Sequence, residues 1–517
     1  MDVPYRPTEL ISLTYGLSLA ESMEVLLLLF LSAFLIASVF FVAVIPGRRA
    51  ILLDRFQTSK QKASVSLTPP RLITPHEKQR PVRNTSQPQY ADVFPPHRRL
   101  ALADLPSDAL KGSGATGLEL SKLSPDYSKP VPDKAVSNSD ELLDRTTPTG
   151  YSVAEIKRLG DFPDYASLSG IPLPTAYEAF NIDTAMPRPY RPYRWPYHQT
   201  MSLSKLDHDF WLELDKNYVS VIEQRQQLFQ QYGDSVIRAL PGSELACKEL
   251  MEMVVQFLCA RYPQHFRLDR VQLVFHNGIL DTQTDLNATE PLHVLLQHVP
   301  EDFAIMVRDP LTGIYSFRAG IIMSSLGWNL GSKIGLKLSE IHSPVPEYKE
   351  KMQFSMDRYF AKKPTDRAIQ RGSWGLEVDQ PLYMPPGDPQ EAHREEQNPE
   401  LTVDRVHLRV DWQTLRRLPL SGAVVFNFKG LFTPVTEFRN EPYIPSLILK
   451  VLKEGKRSIM EYKSTWHTEH VVIPALEQYE REQIDNGLIE KDWEPQTLDE
   501  SPFFPGWEEK WHRQQGF

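Results

Sequence analysis

The residues with the greatest chemical potential lie between Gly327 and Tyr348, a segment that reads Gly-Trp-Asn-Leu-Gly-Ser-Lys-Ile-Gly-Leu-Lys-Leu-Ser-Glu-Ile-His-Ser-Pro-Val-Pro-Glu-Tyr. A short helix is expected from Lys333 to Ile341, ending near His342, and Pro344 and Pro346 forbid its continuation. A histidine at a helix end, fixed by a rigid Pro-x-Pro exit, can offer an imidazole nitrogen to a metal or a haem. The same position suits a capping or core histidine, and periodicity alone favours that reading. His467-Thr-Glu-His470 has the spacing of two metal ligands but lacks a third ligand and a clear helix. Asp207-His208-Asp209 opens an expected helix, where first-turn acids are ordinary partners of the helix dipole.

Other chemistries lack their residues. No G-x-G-x-x-G opens a helix after a strand, and there is no Walker A loop or G-x-S-x-G elbow. Cys247 and Cys259 share one predicted helix at a separation too great for a disulfide, and no glycine-rich ligand loop surrounds either, so a thiolate-ligated haem is not expected. A net charge of -9 with no basic stripe argues against a nucleic-acid partner.

The elements that must position these residues follow from the period of the apolar positions. Helices are expected over Leu206–Tyr232, with Trp211, Leu214, Tyr218, Val221 and Ile222 on one face, and over Glu244–Tyr262, capped by Ser243. The period then changes. Val271–Phe275, His293–Val299, Phe303–Val307 and Tyr315–Ser324 read as strands, with a hairpin turn at Asp309-Pro310 and Thr312-Gly313. Val406–Asp411 and Ala423–Phe428 read as further strands, and Ile444–Leu452 and Pro474–Asn486 as helices. That order is α+β rather than a βαβ repeat.

Several stretches, in order, resemble the haem-dependent oxidative N-demethylase alpha-subunit family. Trp328…Lys333-Ile-Gly335…Ile341-His342-Ser-Pro344-Val345-Pro346 resembles its tryptophan…KxG…IHxPVP block. Met201-Ser-Leu…Trp211-Leu-Glu-Leu-Asp215…Tyr218…Arg225 is similar to its opening helix, and Arg371-Gly-Ser-Trp374 to its basic-x-x-tryptophan element. Leu408 to Ala423 is similar to its LRxERQTLRRLPxSGA block, except that Asp411-Trp412 stands where the family usually has Glu-Arg. The resemblance covers roughly residues 190 to 488. It implies a PAS-like haem-binding antiparallel sheet core flanked by helices. It also implies a haem b that activates O2 and oxidises the methyl carbon of a small secondary amine, with electrons from a separate flavin and iron–sulfur reductase. His342 is then the expected proximal haem ligand. Arg371 and Arg409 are the expected partners of the haem propionates, because guanidinium binds carboxylates bidentately, or else surface charges. Trp328 and Trp374 wall the haem pocket or are core residues, and Lys333 reads as a solvated helix charge. The exchange at Asp411-Trp412 leaves a non-catalytic haem-binding sensor or interaction protein as the second reading. A glycosyltransferase is a third, drawn only from the single anchor described next.

The regions around this domain, 201–490, differ in character. Val25–Ile45 is an uninterrupted apolar run, long enough for a transmembrane helix, between a short N-terminus of 1–24 and Pro46-Gly47. Arg48, Arg49, Arg55, Lys60 and Lys62 follow it, against Arg6 before it. That asymmetry predicts a single-pass membrane protein held in membrane lipid, for example that of the endoplasmic reticulum, with the C-terminal domain cytosolic. Residues 46–150, rich in Pro and Ser, read as a disordered linker. Residues 151–200 read as an extended arm of aromatics and prolines, and 491–517 as a C-terminal tail.

Overall fold

The computed structural model describes residues 93–103 and 147–517, apart from 199, 310 and 311. Its frame is a seven-stranded antiparallel sheet. The strands are β1 (Ser204–Lys205), β2 (Ile237–Ala239), β6 (Asp302–Arg308), β7 (Tyr315–Ile321), β8 (Ile369–Val378), β9 (Val406–Arg417) and β10 (Val424–Pro434), in the spatial order β1-β8-β9-β10-β6-β7-β2. A separate three-stranded antiparallel sheet joins β3 (Phe266–Asp269), β4 (Val274–Asn277) and β5 (Thr282–Asp285). The α+β class with antiparallel sheets stands.

The large sheet separates two apolar cores. Because side chains alternate along a strand, Phe303, Ile305, Trp374, Leu376, Val410, Trp412 and Val425 face one way. Ala304, Met306, Leu415, Val424 and Phe428 face the other way, with Ile369 and Phe426 half-buried beside them. The first and larger core is roofed by α1 (Tyr218–Tyr232), α2 (Glu244–Arg261) and α3 (Pro291–His298). The second is covered by α4 (Leu330–Lys333), α5 (Leu338–Ile341), α6 (Tyr348–Lys351) and α7 (Gln353–Lys362). After β10 come α8 (Ile444–Glu454), α9 (Arg457–Lys463) and α10 (Trp466–Asp485).

The hairpin between β9 and β10 is fixed from both faces. Arg417 donates to the Gly422 carbonyl at 2.7 Å and to Tyr315 Oη, and its other nitrogens reach the Lys363 and Phe360 carbonyls. From α2, the Glu249 carboxylate accepts from the Leu420 and Ser421 amides. Gly422 turns with a φ of +71°, and a Cβ there would meet Pro148 Cβ at 2.8 Å. The Leu-Arg-Arg-Leu-Pro-x-Ser-Gly-Ala string is therefore a hairpin lock.

Several expectations are corrected. Among the described residues no helix is long and apolar enough to cross a membrane. The longest, α10, carries charged or polar residues on much of its surface. The expected span, Val25–Ile45, lies outside the described residues, and the single-pass reading with its localisation is withdrawn. The linker is not disordered throughout. A helix at Pro96–Ala103 is present, the Arg99 guanidinium grips both oxygens of Asp366 at 2.8 and 3.1 Å, and Thr149 Oγ1 donates to the Leu420 carbonyl. His293–Val299, expected as a strand, is the helix α3. Proline at its first turn starts it, and it is buried on several sides, which erases the helical period. The single helix expected from Lys333 to Ile341 is two one-turn helices, broken at Gly335, whose φ is +86°. The expected Leu206–Tyr232 helix begins only at Tyr218. Ser243 does not cap α2 through its side chain, because its hydroxyl donates back to the Leu240 carbonyl at 2.6 Å.

Candidate functional site

His342 is held on the second core by a short series of backbone clips. Asn329 Oδ1 caps α4 by accepting from the Ser332 amide at 2.9 Å. After α4, Gly335 N donates to the Phe317 carbonyl at 2.7 Å and Phe317 N to the Leu336 carbonyl at 2.9 Å, tying the segment to β7. One turn of α5 then delivers His342 as its C-cap. The exit past Pro344 and Pro346 folds back at once, with Val345 N bonded to the His342 carbonyl. That reversal brings Tyr348 under the imidazole, the rings stacked at 5.1 Å between centroids and 10° between planes.

The chemistry left to His342 follows from one bond. Its Nδ1 lies 2.8 Å from the Leu338 carbonyl, which can only accept, so Nδ1 carries the proton. Burial, with smaller contributions from Lys333 and Arg371, pulls the imidazole down to about 4. The ring is therefore neutral near pH 7, and Nε2 presents a lone pair with no partner among the described residues. A backbone carbonyl on the far nitrogen is the usual way to orient a ligating imidazole.

The sheet supplies the floor. Arg371 on β8 stands opposite Gln413 on β9, which stands opposite Phe428 on β10, so the three share one face. Trp328 leans toward Phe428, ring centroids 6.4 Å apart, and Lys333 Nζ lies 4.3 Å from the centre of the Trp328 ring. Lys333 is thus a half-buried cation–π partner, lowered by burial, and not a solvated helix charge. Met201, Trp328, Ile334, Ile341, Val345 and Phe426 remain half-buried along this face.

Among the described residues Arg371 has no ion-pair or hydrogen-bond partner. Its Nε is buried without an acceptor, and burial lowers it from the usual guanidinium value. The groups that influence it are Tyr190, Arg194, Tyr197 and Tyr462, with no carboxylate among them. Lys463, at the end of α9, donates to Ser373 Oγ at 3.0 Å and to the Trp374 carbonyl at 2.8 Å. Burial, followed by the charge of Arg371, brings it down to about 7. Sequence reasoning missed Lys463, Arg194 and the stacking role of Tyr348. Only Tyr348 had a signal, since a Pro-x-Pro turn returns the chain toward the residue that preceded it.

The structure brings His342, Arg371 and Trp328 to one face and places the other two expected residues differently. Arg409 is buried and fully engaged. It bonds Asp411 Oδ1 at 2.9 Å and the carbonyls of Pro381 at 2.6 Å, Leu382 at 3.1 Å and Ser324. Trp374 points into the first core, packed on Tyr193 and Tyr197 at 4.8 and 5.6 Å. Trp412 also faces the first core, donating from Nε1 to Gln370 Oε1 at 3.2 Å, so the Asp-Trp exchange puts no altered ring on the His342 face. His467 and His470 lie on α10, each with one nitrogen on a backbone carbonyl. Asp207, His208 and Asp209 bring three possible ligand atoms together, but Asp209 is already taken by the Thr175 amide and lies near Arg261. Cys247 and Cys259 are free thiols, both pushed up to about 12 by burial.

The model of the family described as haem-dependent oxidative N-demethylase, alpha subunit-like matches residues 202–473 of the 517.

Proposed function

Since the chain belongs to the haem-dependent oxidative N-demethylase alpha-subunit-like family, we propose that it is an oxidoreductase that holds haem b through His342 and oxidises a small amine or related metabolite by N-demethylation or hydroxylation. The observation that carries the reading is the free Nε2 of a neutral His342 set over a half-buried apolar face. A haem is an apolar disc with an iron at its centre and carboxylates at its edge. An imidazole lone pair, a wall of Trp328, Phe426 and Phe428, and the unpartnered Arg371 fit those three parts.

The roles of the chain's own residues follow. His342 binds iron through Nε2, and its Nδ1–H bond to the Leu338 carbonyl fixes the tautomer and strengthens the donor. Tyr348 holds the ring plane by stacking. Trp328 and Phe428 keep water from the reacting centre. Arg371 takes a propionate. The chemistry that haem supplies when bound is O2 activation and oxidation of a carbon attached to nitrogen. Electrons come from a separate flavin and iron–sulfur reductase, because two cysteines cannot hold an iron–sulfur cluster of the four-cysteine type.

The test is the absorption spectrum of the reconstituted protein. A Soret band is expected, weakened at least tenfold in haem affinity by His342→Ala, with formaldehyde released when reductase and an N-methylamine are supplied. An unchanged spectrum in His342→Ala would remove the assignment.

A further inference from the structure

The expected second partner for a carboxylate, Arg409, has spent its donors on Asp411 and three carbonyls. Around β8, close to Arg371, more positive charge nevertheless gathers. Arg194 arrives from the aromatic arm, ahead of the family-matched region, and donates from Nη1 only to Thr200 Oγ1 at 3.1 Å. Lys463 arrives from α9 and meets a hydroxyl, a carbonyl and the face of the Trp374 ring, none of them charged. Arg371 senses Arg194, and Lys463 senses both arginines. Among the described residues none of these three cations has an ion pair, and Asp411, the carboxylate that acts on Lys463, is paired with Arg409. Bringing like charges together out of water is unfavourable unless an anion joins them.

We propose that Arg194, Arg371 and Lys463 form one seat for a ligand carrying two carboxylates. The proposal extends the haem reading above, because the two propionates of haem b are one source of such a pair. A dicarboxylate substrate bound beside the haem is the other. In either case the arm is part of the binding site, although it lies outside the family-matched region.

The charged groups acting on Lys463 are Arg371 from β8, Asp411 from β9 and Arg194 from the arm, and its Nζ lies 5.1 Å from the centre of the Trp374 ring. An anion placed here favours the protonated amine, so binding near pH 7 takes up protons. Calorimetry in two buffers of different ionisation enthalpy reads that uptake directly.

The full chain is titrated with haem and with haem dimethyl ester, and the haem-loaded protein with succinate. If the seat takes propionates, esterification weakens binding about tenfold or more, and Arg194→Gln and Lys463→Met each abolish most of that difference. If it takes a substrate, haem and its ester bind alike, while succinate binds the loaded protein and loses about tenfold in the same variants. Arg194→Lys and Lys463→Arg keep the charge and restore binding in both cases, which separates the seat from a folding defect. Equal binding of haem and ester together with no succinate binding overturns the proposal. So does a preference that survives in both neutral variants. Should no Soret band form with either haem, the haem reading fails by itself, and succinate binding to the haem-free chain decides the seat.

Discussion

His298, buried, and His342, half-buried, are both imidazoles pulled down to about 4, yet they sit in opposite chemical situations. His298 closes a chain of partners. Asn277 Nδ2 donates to its Nδ1 at 3.1 Å, its Nε2–H meets Thr284 Oγ1 at 2.8 Å, and Thr284 passes on to Gln297 Oε1 at 3.2 Å. His342 has one nitrogen bound and, among the described residues, one without a partner. The arginines divide in the same way. Arg225 and Arg417 have carboxylate or carbonyl acceptors around them, whereas Arg371 has none among the described residues. The residue types are alike in the two regions, although His298, Arg225 and Arg417 are fully buried and His342 and Arg371 half-buried. What distinguishes a site from a scaffold is the bonding capacity left over once the fold is made.

That contrast can be broken at its saturated end first. Arg225 and Asp302 form a buried pair, and the other oxygen of Asp302 accepts from the Met323 and Ser324 amides and from Ser324 Oγ. Arg225→Met strands that carboxylate and is expected to cost about 3–5 kcal/mol, read by urea denaturation. His298→Ala leaves Asn277 and Thr284 short of a partner beside a small void. Its expected cost is about 2–4 kcal/mol, and a value below about 1 kcal/mol would mean that water replaces the ring.

The effect of pH follows from the same histidine. His298 is neutral in the fold with a pKa of about 4, against about 6.5 when unfolded. The unfolded chain therefore binds the extra proton. The contribution of His298 is fully present above pH 6.5 and is lost as pH falls through 4. Between pH 7 and pH 5 wild type should lose about 2 kcal/mol more than His298→Gln, and equal losses would mean that the ring is already wet. The smallest change belongs to the unsaturated region. Arg371→Met removes a half-buried charge whose Nε has no acceptor, so stability should stay within about 1 kcal/mol or rise while haem retention drops.

The regular elements were readable where one period dominates. The hairpin of β6 and β7 and helices α2 and α8 fall close to their expected positions. β8 was not readable, because Ile-Gln-Arg-Gly-Ser-Trp-Gly alternates neither polarity nor size, and yet it carries Arg371. His342 stood out through the prolines that follow it. Arg194 and Lys463 did not, because their meaning comes from the absence of acids around them in space, and no local pattern records an absence. Arg409 and Arg371 look equivalent as sequence, and only the carbonyls of Ser324, Pro381 and Leu382 tell them apart.

The aromatic arm sets a rule for anyone cutting this protein into pieces. Arg191 grips both oxygens of Glu441 at 2.7 Å in a fully buried pair, and Tyr190 and Tyr193 belong to the first core. A fragment begun at residue 202, where the family match begins, would leave the buried Glu441 carboxylate with Lys510 in place of its two-point grip from Arg191 and would uncover Trp374. Such a fragment should be recovered from expression as insoluble material, whereas one begun ahead of Tyr151 should stay in solution.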